Sequence, residues 1–254
     1  MGSGFRRNDG QGGVRHEIHF RIAHRTQRMI WAVLPAAGRG QRFGGDVPKQ
    51  YLHAAGKPLI EHALSALLAH PRVAGAMVAL SASDALWPGW TQLHGKPVLR
   101  CVGGGERSDS VLAALRALPA ELGDDTLVLV HDAARPNLRG EDIERLILAA
   151  EASADGAILG APLRDTLKRA GDGRIVATEP RDGLWRAFTP QAFRRGALTA
   201  ALADAAAAGA IVTDEASAME RAGVRPRLVE GREDNLKVTT PTDLALAEFL
   251  LINT

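Results

Sequence analysis

A short apolar run at 30–34 (Ile-Trp-Ala-Val-Leu) empties into Pro35-Ala-Ala-Gly38-Arg-Gly40-Gln-Arg42-Phe-Gly-Gly-Asp-Val-Pro48-Lys49, and this pairing limits the possible folds more than any other stretch. A continuous apolar segment of this length reads as a parallel strand buried on both faces. In an open α/β sheet, the loop that follows such a strand is where a ligand sits. Gly38 and Gly40 lack side chains and tolerate positive φ, so backbone amides can turn toward an anion. Arg42 and Lys49 bring two cations to the same loop. The loop is suited to a polyphosphate.

Two common phosphate loops are excluded. A dinucleotide fingerprint needs its glycines to open a helix directly, with an acidic residue roughly 20 positions later. Here Pro48 interrupts any continuous helix, helical spacing begins only at Pro58, and Glu61 and Asp84 fall at the wrong distances. A Walker A loop would end in Gly-Lys-Ser/Thr, which is missing.

Helix-period segments at 58–68, 108–118 and 141–150 alternate with apolar strand-like segments at 76–80, 98–102, 126–130 and 156–161. That rhythm predicts an α/β fold, a Rossmann-like, mostly parallel sheet with helices on both faces. It breaks at 163–188, which is charged and turn-rich, with Gly171-Asp-Gly173 between the short extended pieces Thr166-Leu-Lys and Arg174-Ile-Val. This pattern predicts a β-hairpin arm standing off the sheet. A two-stranded ribbon has too little core to stand alone, so it is expected to pack on a partner and serve dimerisation. Beyond it we expect an Ala-rich helix at 191–208, a short helix at 214–222, strands at 227–229 and 235–238, and a last helix from Pro241 to near Leu251.

The charge is unevenly placed. Residues 1–28 hold six arginines against Asp9 and Glu17, a surplus of four positive charges, whereas the whole chain of 254 residues is formally +2, so residues 29–254 carry two net negative charges. The body therefore has no basic character calling for nucleic acid. Residues 1–28 read as a disordered basic extension or upstream start, with 29–254 as a single domain. No apolar run approaches the roughly 20 residues of a membrane span. The single cysteine, Cys101, excludes an internal disulfide and suits a reducing, cytoplasmic setting.

Three further segments carry chemistry. Asp132 lies just past the apolar strand 126–130, where a carboxylate can help hold magnesium against phosphates or accept a sugar hydroxyl; a turn or capping aspartate is the plain alternative. His131 reads as a structural strand-end histidine. Gly103-Gly-Gly105-Glu-Arg-Ser-Asp-Ser110 follows another strand, where glycines let a flat base approach and Ser110 can hydrogen-bond it; an ordinary loop with Ser108 as helix cap fits equally. Lys237 stands near an expected strand end, where a lone lysine is usually solvated.

Taken in order, these motifs resemble the 2-C-methyl-D-erythritol 4-phosphate cytidylyltransferase family of the non-mevalonate isoprenoid pathway, over about residues 30–251. The matching segments are Pro35-Ala-Ala-Gly-Arg-Gly-Gln-Arg42, Pro48-Lys-Gln-Tyr51, Gly104-Gly-Glu-Arg-Ser-Asp-Ser-Val111, His131-Asp-Ala-Ala-Arg-Pro136, Arg164-Asp-Thr166, Thr189-Pro-Gln191, Thr213-Asp-Glu-Ala-Ser217 and Asn235-Leu-Lys-Val-Thr239. The resemblance implies transfer of CMP from CTP to 2-C-methyl-D-erythritol 4-phosphate with release of pyrophosphate, in the presence of magnesium. It implies that Arg42 and Lys49 stabilise the transition state at the α-phosphate. Pro35, Ala36, Ala37, Gly104 and Ser110 would line the cytosine and ribose, with Gly38 and Gly40 near the phosphates. Asp132 would serve the ribose, the substrate and the metal. Lys237 would position the second substrate, and Arg135, Thr166, Arg181 and Thr189 would surround it, with Arg181 and Lys237 among the catalytic set. Arg135, Thr166 and Arg181 are expected to reach across from the other subunit of a homodimer.

Three rivals stand beside this reading. A cytidylyltransferase for another polyol phosphate, such as ribitol 5-phosphate, would share fold and chemistry. A glycosyltransferase would want an Asp-x-Asp motif, which His131-Asp132-Ala133-Ala134 lacks. A silent nucleotide-binding scaffold would be expected to have lost Arg42 or Lys49, and both are present.

Overall fold

The computed structural model describes Met1, residues 29–38 and residues 47–253. Arg42 and Gly40, and the basic segment before Met29, lie outside the described residues. Among the described residues, the first strand, β1 (Ile30–Ala36), is followed by a 3-10 turn (Lys49–Tyr51) and a small hairpin, β2 (His53–Ala54) with β3 (Lys57–Pro58). Then come α1 (Leu59–Ala69), β4 (Val73–Leu80), β5 (Gln92–Leu93), β6 (Lys96–Val102), α2 (Arg107–Ala117), β7 (Leu127–Val130), α3 (Gly140–Glu151) and β8 (Ala157–Pro162). The chain continues through β9 (Leu167–Gly171), β10 (Arg174–Glu179), β11 (Trp185–Arg194), α4 (Arg195–Ala207), α5 (Glu215–Arg221), β12 (Arg227–Glu230) and α6 (Pro241–Ile252).

The main sheet among the described residues has eight strands in the order β12-β8-β11-β7-β1-β4-β6-β5. Strands β7, β1, β4 and β6 run parallel, as their intervening helices require. Side chains of a strand alternate between faces, and β1 divides accordingly. Ile30, Ala32 and Leu34 enter the core covered by α1 and α3. Trp31 and Val33 enter the core beneath α2, α4 and α5. A smaller cluster, Ala54, Leu59, Val238 and Ala247, seats α6 beside the hairpin β2–β3.

Two sequence expectations are corrected. Residues 191–194 are not helical: Gln191 to Arg194 complete β11, which pairs antiparallel with β7 and β8. The chain returns from β8 through the arm with no crossover helix, so the returning strand must run opposite to its neighbour. The strand expected at 235–238 is a loop instead. The sheet ends at β12, and the chain after Glu230 is drawn back toward β7, with Val238 N–H donating to the Ala134 carbonyl (2.9 Å).

The hairpin arm is present as β9 and β10, an antiparallel pair that joins no other strand. Asp172 and Gly173 both have positive φ (48° and 72°), the backbone a two-residue turn needs to match strand twist. Ile175 and Val176 are each 67% exposed on it.

Candidate active site

Strand order places a crevice between β1 and β7. From β1 the chain moves outward through β4 and β6, then crosses back to β7 on the other side of β1. At such a reversal the loops beyond the carboxyl ends of the two strands diverge and leave room for a ligand. The cleft there, about 330 Å³, is lined on the β1 side by Pro35, Ala36, Ala37, Gly38, Lys49 and Gln50. The rest of its lining is Gly104 to Arg107 and Ser110 after β6, Asp132 to Ala134 after β7, and Lys237.

The wall carrying Lys49 is braced by its neighbours. Gln50 Nε2 donates to the Ala36 carbonyl (2.7 Å), tying the turn to the end of β1. Tyr51 Oη donates to Asp84 Oδ2 (2.9 Å), and burial together with that carboxylate raises the phenol above its usual range, so it remains a donor.

The glycine loop serves close packing of the chain on itself. A Cβ on Gly104 would lie 2.2 Å from Asp109 Cβ, and one on Gly103 would lie 2.6 Å from Ala37 Cβ. Ser110 Oγ accepts from Gly104 N–H (3.2 Å) and donates to the Glu106 carbonyl (3.1 Å). The alternative of a Ser108 cap does not hold: α2 begins at Arg107, with Glu106 as N-cap and Asp109 Oδ2 accepting from Glu106 N–H (3.1 Å). The tight turn through Gly104 brings Glu106 to the cap position before Ser108 is reached.

Asp132 is the hub. It is only 7% exposed, yet both oxygens face cations: Oδ1 accepts from Arg107 Nε (2.9 Å), while Oδ2 pairs with Lys237 Nζ (3.0 Å) and Arg135 Nε (3.4 Å). Burial alone would raise its pKa; Arg107, Lys237 and Arg135 outweigh that and hold the carboxyl well below the usual carboxylate range. Beneath it, His131 Nε2 donates to the Arg135 carbonyl (3.1 Å), which leaves Nδ1 of the neutral ring to accept from Thr189 Oγ1 (3.0 Å). Thr189 Oγ1 in turn accepts from Asp132 N–H (3.0 Å). Burial pushes His131 down to about 4, so near pH 7 it is a neutral support for the hub.

The profile of the 2-C-methyl-D-erythritol 4-phosphate cytidylyltransferase family matches residues 30–253. The enzyme of that name from Xanthomonas campestris pv. campestris (strain 8004) is 63% identical over 225 residues, covering 88% of this chain and 85% of that one. Its counterpart from Stenotrophomonas maltophilia (strain K279a) is 63% identical over 223 residues, covering 87% of this chain and 96% of that one. The chain belongs to the 2-C-methyl-D-erythritol 4-phosphate cytidylyltransferase family. Solved structures agree: the Francisella tularensis enzyme superposes with a TM-score of 0.76 at 33% identity, covering 87% of this chain and 99% of that one. A 4-diphosphocytidyl-2C-methyl-D-erythritol synthase gives 0.75 at 38% identity, covering 88% and 99%.

Of the positions that the family motifs single out, Pro35, Ala36, Ala37, Gly38, Lys49, Gly104, Ser110, Asp132 and Lys237 line one cleft. Lys237 is no lone surface lysine, because the loop after β12 lays its ammonium on Asp132. Thr189 is buried behind Asp132. Thr166 and Arg181 are exposed on the arm segment and do not line the cleft. Arg135 departs from the expected reach to a partner. It is 7% exposed and held within its own subunit by Asp132, the Asn235 carbonyl (2.7 Å), the Ala187 carbonyl (3.5 Å) and the Phe188 ring (5.2 Å to its centre). Sequence reasoning missed Arg107 and Glu215, whose ion pair (Nη1 to Oε1, 2.6 Å) backs the cleft. The available signal was two opposite charges inside family motifs, Gly104–Val111 and Thr213–Ser217, to which no role was given.

Proposed function

We propose that this cleft is where the family's reaction takes place in this chain: attack by an oxygen of 2-C-methyl-D-erythritol 4-phosphate on the α-phosphorus of CTP, releasing pyrophosphate, in isoprenoid precursor synthesis. The observation that carries the reading is the convergence of Lys49, Asp132 and Lys237 on one cleft at the switch point of the sheet. In-line phosphoryl transfer builds charge on equatorial oxygens, and fixed cations answer it with little reorganisation. Lys49 and Arg42 serve the α-phosphate, and Gly38 and Gly40 the triphosphate. Pro35, Ala36, Ala37, Gly104 and Ser110 hold cytosine and ribose. Asp132 accepts a ribose hydroxyl and keeps Lys237 aimed at the second substrate. The attacking phosphate is already an anion, so it needs positioning rather than deprotonation, and the mechanism has no covalent enzyme intermediate.

Magnesium enters this reading as an ion brought by the triphosphate. Among the described residues no group of three or more His, Cys, Asp or Glu side chains is placed to hold a metal. One carboxylate on the cleft wall fits the habit of magnesium, which takes one or two protein carboxylates and completes its shell with phosphates and water. Asp132 is that carboxylate, and the ion would supply charge neutralisation on the phosphates.

Thr166 and Arg181 are assigned to the site of a second subunit. Their exposure, and the apolar Ile175 and Val176 on the same arm, support a homodimer in which each arm completes its neighbour's cleft. Arg135 and Thr189 act from behind, on the orientation of Asp132. Residues 29–254 work as one nucleotidyltransferase unit, and charged metabolite substrates support a cytoplasmic setting. Phosphorus NMR of CTP, magnesium and methylerythritol 4-phosphate with the protein tests the reaction. Paired appearance of pyrophosphate and a new diphosphate ester is expected; CTP left intact would overturn the assignment.

A further inference from the structure

Arg107 has more partners than a surface helix residue needs. Its guanidinium lies in the first turn of α2, between the cleft and α5. Nη1 and Nη2 donate to Glu215 Oε1 and Oε2 (2.6 and 3.1 Å), and Nε donates to Asp132 Oδ1 (2.9 Å). Glu215 is fully buried, and its carboxylate faces this one guanidinium in a bidentate fork. Such a fork fixes direction as well as charge, because guanidinium and carboxylate are both planar. With two of its nitrogens committed to Glu215, the third nitrogen of Arg107 points at Asp132 in a set orientation.

We infer that Arg107, anchored by Glu215, is a positioning residue: it sets the rotamer of Asp132 and, through it, the place of the Lys237 ammonium in the cleft. The inference rests on the roles given to Asp132 and Lys237 above. The relay alternates in sign from Glu215 through Arg107 and Asp132 to Lys237, so each group holds the next. Oδ1 of Asp132 has Arg107 as its cationic partner, and Oδ2 has Lys237 and Arg135. Without Arg107, Oδ1 loses its cationic partner and the carboxylate is held through Oδ2 alone, by Arg135 and Lys237, so it can turn about that oxygen and shift Lys237. The loss therefore falls chiefly on the second substrate and on turnover; for CTP it is confined to the Asp132 contact with the ribose, while Pro35, Ala36, Ala37, Gly104 and Ser110 stay in place.

Removing Arg107 alone would strand the buried Glu215 charge and unfold the site for a trivial reason. The test therefore uses Arg107→Met/Glu215→Met, which removes both ends together, and Arg107→Lys, which keeps a cation for Glu215 but cannot fork it and reach Asp132 at once. Wild type and both variants are compared by melting temperature and by steady-state kinetics with CTP and methylerythritol 4-phosphate. For both variants kcat should fall about tenfold or more and KM for methylerythritol phosphate should rise. KM for CTP should rise less than KM for methylerythritol phosphate, because only the Asp132 contact to the ribose is disturbed while the other groups given to the nucleotide stay in place. A purely structural role would lower only the active fraction and move neither KM. Arg107→Lys with wild-type kcat and KM would overturn the inference, as would a double variant that melts with wild type and turns over equally fast. A wild-type protein that consumes neither substrate would overturn the site reading, and this inference with it.

Discussion

The cleft and the arm spend the same residue types in opposite ways. In the cleft, Arg107 and Arg135 are bound from several sides by Asp132, Glu215 and backbone carbonyls of their own chain. On the arm, Arg169 pairs with Glu179 (2.5 Å) in solvent, Arg181 meets the Arg164 carbonyl at the surface, and Ile175 and Val176 face outward. The cleft holds its geometry within one chain. The arm is a ribbon whose side chains have no core to enter, and a lone two-stranded ribbon is marginal in water. The contrast teaches that preorganised charge belongs to the cleft's own chain, while the arm's residues find no such surroundings there and, in the homodimer proposed above, would take them from a second copy.

The largest effect expected from breaking this contrast is on the cleft side. Lys49→Ala should lower kcat by about a hundredfold to a thousandfold, the scale of losing one group that answers transition-state charge, with an unchanged melting temperature. Wild-type turnover in that variant would remove Lys49 from the chemistry. On the arm, Ile175→Asp should leave melting of the sheet nearly unchanged while light scattering reports a monomer and turnover drops about tenfold or more. A variant that stays dimeric with full activity would break the division between the two regions.

A smaller effect separates exposed from buried charge. Arg169→Ala removes an exposed pair and should cost no more than about 1 kcal/mol, with kcat unchanged, by thermal melting and kinetics side by side. The smallest involves His70, which caps the end of α1 just before β4 begins. Burial, opposed by nearby Glu144 and assisted by Arg72 and Lys96, lowers its pKa from the ordinary value. The unfolded chain then takes up this proton at higher pH than the folded one, so the folded state loses stability as pH falls through the ordinary histidine range. His70→Gln should flatten the acid side of the melting-temperature profile without altering kcat; an unchanged slope would show that His70 does not contribute to it.

How much could be read in advance follows from the range of the forces involved. The apolar run before Gly38, the strand-end Asp132 and the Asp172-Gly173 turn are local patterns, and each appears in the structure where its chemistry puts it. β11 was illegible because its Ala-rich neighbourhood favours helix locally, while ladders to β7 and β8 decide the outcome. Lys237 looked like a surface lysine because its partner is supplied by a loop of a distant segment. Arg107 and Glu215 stand 108 positions apart, and no spacing rule joins them. Arg135 was misplaced because its family motif says nothing of the Asn235 and Ala187 carbonyls that hold it.

Mixed-subunit complementation tests the central claim most directly. Lys49→Ala and Arg181→Ala are each prepared as inactive homodimers, then mixed and allowed to exchange subunits. If a cleft is completed by the partner's arm, half of the dimers are mixed and each regains one intact site, so about a quarter of wild-type turnover should return. If no activity returns while exchange is verified by mass, Arg181 works inside its own subunit or not at all, and the account of a site shared between cleft and arm is contradicted.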